Sequence, residues 1–187
     1  AILAAKLGTD QFAAYQVGMN ILSLGFAFGD GMQVAAVSLI GKSLGQQKPD
    51  LAKMYGHACQ LIGVAISVIF AIVLLVGGRT LNQFFFADES VIEMGVMIAR
   101  FVAVIVLFQI SQIIYGGCLR GAGDVKYTLV VALISVAIIR PILTWVLTSV
   151  FSLGLVGIWL GVLSDQLTRF TLLRIRFHQG KWVEYKI

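Results

Sequence analysis

The feature that most limits how this chain can fold is a succession of continuous apolar blocks. Each is near or above the roughly 20 residues needed to cross a hydrocarbon layer about 30 Å thick. In the 187-residue sequence the blocks run over about 11–43, 56–78, 94–119, 127–151 and 153–173. Lipid offers no partner to a bare backbone, so only helices and closed barrels span it. Barrel strands alternate apolar and polar residues over about ten positions, and these runs do not alternate. Each block therefore predicts a spanning helix, and the expected fold class is all-α, a polytopic membrane helix bundle occupying residues 1–187. With 12% charged residues, against about 25% in soluble chains, the surface lacks the charge that water would require.

The connections set the topology. The first block ends at Gly41-Lys42-Ser43-Leu44-Gly45, and Gln46, Lys48, Pro49 and Asp50 form a polar link where Gly and Pro stop the helix. Over 79–93, the triplet Phe84-Phe85-Phe86 beside Asp88, Glu89 and Glu93 predicts a short amphipathic segment lying at the membrane surface. Very short links after the third and fourth blocks predict antiparallel hairpins. Alternating loops then place Lys42, Lys48, Lys53, Arg120, Lys126, Arg174, Arg176, Lys181 and Lys186 on one side, with only Lys6 and Arg79 on the other. Because short cytoplasmic loops carry the excess of Lys and Arg, the crowded side and the tail 174–187 are expected in the cytoplasm. The apolar start at Ala1 lacks a basic leader and does not read as a signal peptide; sequence is expected upstream.

Several function classes are disfavoured. The basic residues behind the formal charge of +5 are scattered singly between apolar blocks, which topology explains better than nucleic-acid binding. Cys59 and Cys118 lack metal or redox spacing and read as small packing residues. No HExxH, Cys–His pair or P-loop occurs, and His57 and His178 sit at a membrane boundary and in the tail, so no enzyme, cofactor or protein metal site is expected.

Three stretches carry more than hydropathy: Leu39 to Asp50, closing the first span; Gly117-Cys118-Leu119-Arg120-Gly121-Ala122-Gly123-Asp124-Val125-Lys126; and Asp165, Arg169, Arg174, Arg176 and Phe177 ahead of Gly180-Lys181-Trp182. The second has neither P-loop spacing nor a preceding strand, and reads as a hairpin that needs Gly for positive φ. Taken together, in this order and at these separations, the three resemble the C-terminal half of the multidrug and toxic compound extrusion (MATE) family. The turn from Leu119 to Asp124 is the most specific match.

That resemblance implies twelve helices in two six-helix lobes, with this chain running from the end of helix seven at 1–7 through helix twelve and the tail. It implies an antiporter of the inner or plasma membrane, in which Na⁺ or H⁺ entry drives export of drug-like organic compounds, often cationic, by alternating access. The partners implied are those small molecules, the bilayer and an N-terminal lobe of the same chain. Repeat-built transporters place their sites near the midplane between repeats, so this chain would supply one wall.

Polar residues inside the spans are the site candidates. Asp30, between Gly29 and Gly31, stands well inside the first span, where an acid costs roughly 2.5 to 3.5 kcal/mol. It reads either as a cavity-facing carboxylate for a proton or Na⁺, the glycines loosening the helix there, or as a structural acid bonded between helices. In NorM-type members an acid stands at the position of Gln109, and this substitution puts that coupling route in doubt. Gln109, Gln112 and Gly116 share one helical face by spacing and could line a cavity. Arg140, before Pro141, calls for a partner or water at its depth, with the proline favouring a kink. Asp165 and Arg169, spaced i and i+4, most simply neutralise each other, while Arg120, Gly121 and Asp124 are assigned to the cytoplasmic turn. Arg100 is expected to face the outer interface or snorkel. Trp145, Trp159 and Trp182 read as packing or interfacial anchors at least as readily as a drug-stacking surface. Two rival functions stand beside efflux. A lipid-linked oligosaccharide flippase of the related superfamily should line its cavity with several cations, where this half is expected to offer chiefly Arg140; a non-transporting membrane subunit would use Asp30 and Arg140 as interhelical glue.

Overall fold

Continuous apolar runs satisfy their own backbone only as helices, and the computed structural model, described over residues 9–85, 88–180 and 182, is built of them. In chain order they are α1 (Thr9–Gly45), α2 (Pro49–Phe85), α3 (Glu89–Gly121), α4 (Val125–Val150) and α5 (Gly154–His178). The first four are long and apolar enough to cross a membrane. The 25-residue α5 is long enough too, but Asp165, Gln166 and Arg169 make it less apolar. Ala1 to Leu7, the expected end of a preceding helix, lie outside the described residues.

The surface segment expected over 79–93 does not form as a separate element. Gly77 and Gly78 fail to stop α2, which continues to Phe85, and α3 begins at Glu89. The break is set by Asp88, whose carboxylate accepts from the backbone N–H and the hydroxyl of Ser90, each at 2.9 Å, an N-cap that satisfies donors the helix start would leave orphaned. Arg79 pairs with Glu89 across the corner. Phe86 lies outside the described residues.

Helix α3 is the centre of the bundle. Every residue from Gln109 to Leu119 is buried, as expected of a helix packed on all sides, with α1, α2 and α5 against it. In lipid, helices associate through close packing rather than through expulsion of water, and small residues let backbones approach. Gly25 and Gly29 of α1 lie against Val106 and Ile113, while Gly117 and Gly121 of α3 meet the backbone of Gln33 and Val37. A Cβ on Gly121 would lie 2.7 Å from the Val37 carbonyl oxygen, and one on Gly29 2.9 Å from Ile113 Cδ1. Gly29 is thus a close-packing residue inside an unbroken helix, not the loosened point expected beside Asp30. A second pair, Gly157 and Gly161 of α5, seats that helix against Leu147 and Thr144 of α4.

Helix α4 is irregular. Residues Ile134–Ile139 and Val146–Val150 form π turns. The N–H of Arg140 bonds the Ser135 carbonyl, five residues back, and this widened turn carries the helix through Pro141, which has no N–H to give.

At one end of the bundle the α1–α2 link, the α3–α4 turn and the end of α5 meet. Gly123 takes φ +85° in the turn, the Arg176 Nε donates to Asp124 Oδ2 at 2.7 Å, and His57 packs edge-on against Phe177 at 5.5 Å. Trp182 folds back on Phe177, rings 5.1 Å apart, and its indole N–H donates to the Phe177 carbonyl at 2.7 Å. Trp159 is buried beside Tyr15, whereas Trp145 faces outward. Arg100 is exposed and both cysteines are buried free thiols. Lys6, Lys181 and Lys186 lie outside the described residues.

Gly121→Ala in the full-length chain should lower stability in detergent by about 1–3 kcal/mol, the usual penalty of overpacking. Gly77→Ala, where a Cβ would meet nothing within 4 Å, should be neutral or slightly stabilising. Thermal unfolding midpoints of the two variants check this; equal losses would remove the seam from the explanation.

Candidate functional site: a polar cleft beside the central helix

Two adjoining clefts of about 360 and 310 Å³ open beside α3 and share Phe26 and Arg169 in their walls. The first is lined by Gln33, Gln112, Gly116, Arg120 and Thr128, the second by Ser23, Gln109, Arg140, Asp165 and Gln166. Gln109, Gln112 and Gly116 therefore do face cleft space from one side of α3. They are buried; the Gln112 amide donates to Gln166 Oε1 at 3.3 Å, and Gln109 Oε1 has no hydrogen-bond partner among the described residues.

Asp165 is wholly buried. Arg169 Nε donates to its Oδ1 at 3.0 Å and Arg169 Nη2 to its Oδ2 at 3.5 Å, while Arg140 Nη1 stands 3.9 Å from Oδ2. The i, i+4 pairing expected on α5 is present, and α4 adds a second guanidinium to it. The neighbouring Ser135 hydroxyl donates to the Asp165 backbone carbonyl at 3.1 Å, tying the π turn ahead of Arg140 to the same place on α5.

Asp30 lines neither cleft. It is exposed on α1 and accepts from the Gln33 amide at 3.1 Å; Gln33 in turn accepts from Arg120 Nη2, and Arg120 Nε donates to the Gly116 carbonyl at 3.1 Å. A chain of polar contacts thus runs from Asp30 to the cleft wall. Arg120 belongs to the cleft as well as to the turn, while Gly121 and Asp124 serve packing and the tie to α5. The expectation that Arg140 is the chief cavity cation is corrected: Arg120, Arg140 and Arg169 all line cleft space, against one carboxylate, that of Asp165. Gln33 and Gln166 were visible only as polar breaks in apolar runs. Nothing in the sequence paired Gln166 with Gln112, 54 residues away.

Similarity to known proteins fits this arrangement. The family model described as MatE matches residues 1–146, more than half of the chain. The chain belongs to the MatE family. This MatE chain is 26% identical over 175 residues to a "Probable multidrug resistance protein NorM" of Thermotoga maritima, covering 94% of this chain and 38% of that protein. It is 30% identical over 156 residues to "Uncharacterized transporter C4B3.13" of Schizosaccharomyces pombe, covering 83% of this chain and 29% of that protein. Its fold superposes on the eukaryotic MATE transporter AtDTX14 with a TM-score of 0.82 at 20% identity, covering 92% of this chain and 38% of that one. A MOP superfamily transporter from Pyrococcus furiosus superposes with a TM-score of 0.85 at 18% identity, again over 92% and 38%. The MatE chain therefore spans about two-fifths of the length of the NorM proteins it matches. It is a membrane protein of a transporter family, not an enzyme.

Asp165→Asn should destabilise this lobe by about 3–5 kcal/mol, because the largely buried Arg169 and the part-exposed Arg140 lose their shared carboxylate. Arg169→Gln added to it should recover part of that loss. Denaturation of the three full-length variants in detergent measures both effects, and additive losses would contradict the shared pairing.

Proposed function

We propose that this chain is the C-terminal lobe of a secondary efflux antiporter that exports organic compounds in exchange for Na⁺ or H⁺ by alternating access. The observation that carries the reading is the polar wall of Gln33, Gln109, Gln112, Gln166 and three arginines set into an otherwise apolar bundle. Polar and ionisable groups are expensive inside a membrane and mark pathways for ions and substrates. MatE membership and relatives named as multidrug resistance proteins support the same reading.

In this reading the cleft is one wall of a cavity closed by an N-terminal lobe of the same chain, and drug-like molecules bind between the lobes. Lys42, Lys48, Lys53, Arg120, Lys126, Arg174 and Arg176 sit in or beside the links that meet at one end of the bundle, which supports a cytoplasmic position for that end and for the C-terminus in the inner or plasma membrane. Asp30 is the coupling candidate in this lobe. Its carboxylate reaches the cleft through Gln33 and Arg120, so binding of a proton or Na⁺ there would release Gln33 and Arg120 to rearrange. Gln109 cannot give up a proton, and further coupling acids belong to the other lobe. A second reading is favoured by the three cleft arginines: a flippase for a lipid-linked oligosaccharide, whose anionic carrier they would attract.

Full-length protein in liposomes separates these readings. An imposed Na⁺ or H⁺ gradient should drive ethidium efflux, and Asp30→Asn should reduce the gradient-driven component by about tenfold or more, the effect of removing an essential charged group. Translocation of a lipid-linked oligosaccharide without ethidium efflux would favour the flippase. Neither activity would point to a non-transporting subunit.

A further inference from the structure

We infer that the Arg140–Asp165–Arg169 triad forms an anion subsite in the cleft wall, taking the carboxylate of a small organic molecule. The inference rests on the reading of the cleft as the place where transported compounds bind.

It begins with a charge count. Both oxygens of the buried Asp165 carboxylate are engaged by Arg169, at 3.0 and 3.5 Å, which leaves Arg140 at 3.9 Å with a third of its side chain exposed. Two guanidinium groups share one carboxylate, so the triad carries a surplus positive charge. Inside a membrane such a charge calls for a partner, and Asp30, the nearby acid on α1, does not line this cleft. Arg140 presents a planar fork of donors, and its ion pair with Asp165 is too long to occupy them well. That fork matches a carboxylate in two parallel hydrogen bonds.

The wall around Arg140 fits a small organic acid. Gln109 and Gln166 line the same cleft, and Gln109 Oε1 is buried against Gly25 of α1 rather than turned into the cleft. Phe26 and Val162 supply apolar wall, and a cleft of about 310 Å³ lies at the small end of the range for organic ligands. The chemistry described is an aromatic or aliphatic acid, so a purely cationic compound would have to find its counter-charge on the opposite lobe.

Carboxyfluorescein binding to the detergent-solubilised full-length protein, followed by anisotropy, tests this. Arg140→Gln, which leaves the Asp165–Arg169 pair in place, should weaken binding at least about tenfold, the loss of one charge-assisted hydrogen bond. Arg140→Lys should fall between, keeping the charge but not the fork. Arg79→Gln, on an exposed corner outside the cleft, should change nothing. Benzoate should displace the dye and pyrophosphate should not. Equal binding by wild type and Arg140→Gln, or displacement by pyrophosphate alone, overturns the subsite. Ethidium efflux under an ion gradient is measured on the same preparation. If it persists while carboxylate binding proves independent of Arg140, the subsite fails and the antiporter stands; if it is absent and Arg140-dependent binding is present, the antiporter fails and the subsite stands.

Discussion

Close backbone approach at glycine is the constraint on which this lobe depends. With lipid as solvent there is little hydrophobic gain from joining two apolar helices, so packing and interhelical hydrogen bonds must hold them. Gly25 and Gly29 on α1, set against Val106 and Ile113, and Gly117 and Gly121 on α3, set against Gln33 and Val37, bring those two helices to distances where a single added methyl would meet backbone oxygen or a branched side chain. That seam buries α3 deeply enough for its polar face, Gln109, Gln112 and Gly116, to look into cleft space rather than into lipid. Moving α3 outward would expose two amide side chains that hydrocarbon penalises.

The charged groups follow the same economy of position. Asp165 is tolerable at zero exposure only because Arg169 and Arg140 approach it from two helices. Arg140 can reach it because the π turn over Ile134–Ile139 resets the register of α4, and Ser135 in that turn is bonded to the backbone of Asp165 itself. Such turns recur at functional sites. Here the irregularity places an arginine at the cleft and lets the helix continue through a proline, so a local cost in helix geometry buys the electropositive wall.

How much of this could be read from residue order varies with the range of the interaction. The helices and the Gly-containing hairpin at Gly123 follow from local rules, apolar run length and left-handed φ. The i, i+4 pair of Asp165 and Arg169 was equally legible, since helix geometry alone puts those side chains together. The continuation of α2 to Phe85 was missed because two glycines and three phenylalanines look like a break followed by a surface segment, whereas the stop is imposed later by the Asp88 cap. Contacts between distant helices were not legible. Gln33 with Arg120, Gln112 with Gln166, and Arg140 with Asp165 each depend on how the glycine seams set the helices against one another. For that reason the cleft carries more positive charge than a reading of Arg140 alone suggested.

The central claim is that this cleft, and not the outer face of the bundle, is where a transported molecule meets the lobe. Site-directed labelling of the full-length protein in sealed vesicles, with Cys59 and Cys118 replaced by Ala, addresses it most directly. Thr128→Cys, in the cleft wall, should react with a membrane-impermeant maleimide, and a transported compound should slow that reaction severalfold, while Leu61→Cys on the outward apolar face of α2 should react slowly and without regard to substrate. Thr128→Cys that is unreactive, or reacts at the same rate with and without the compound, would contradict the claim.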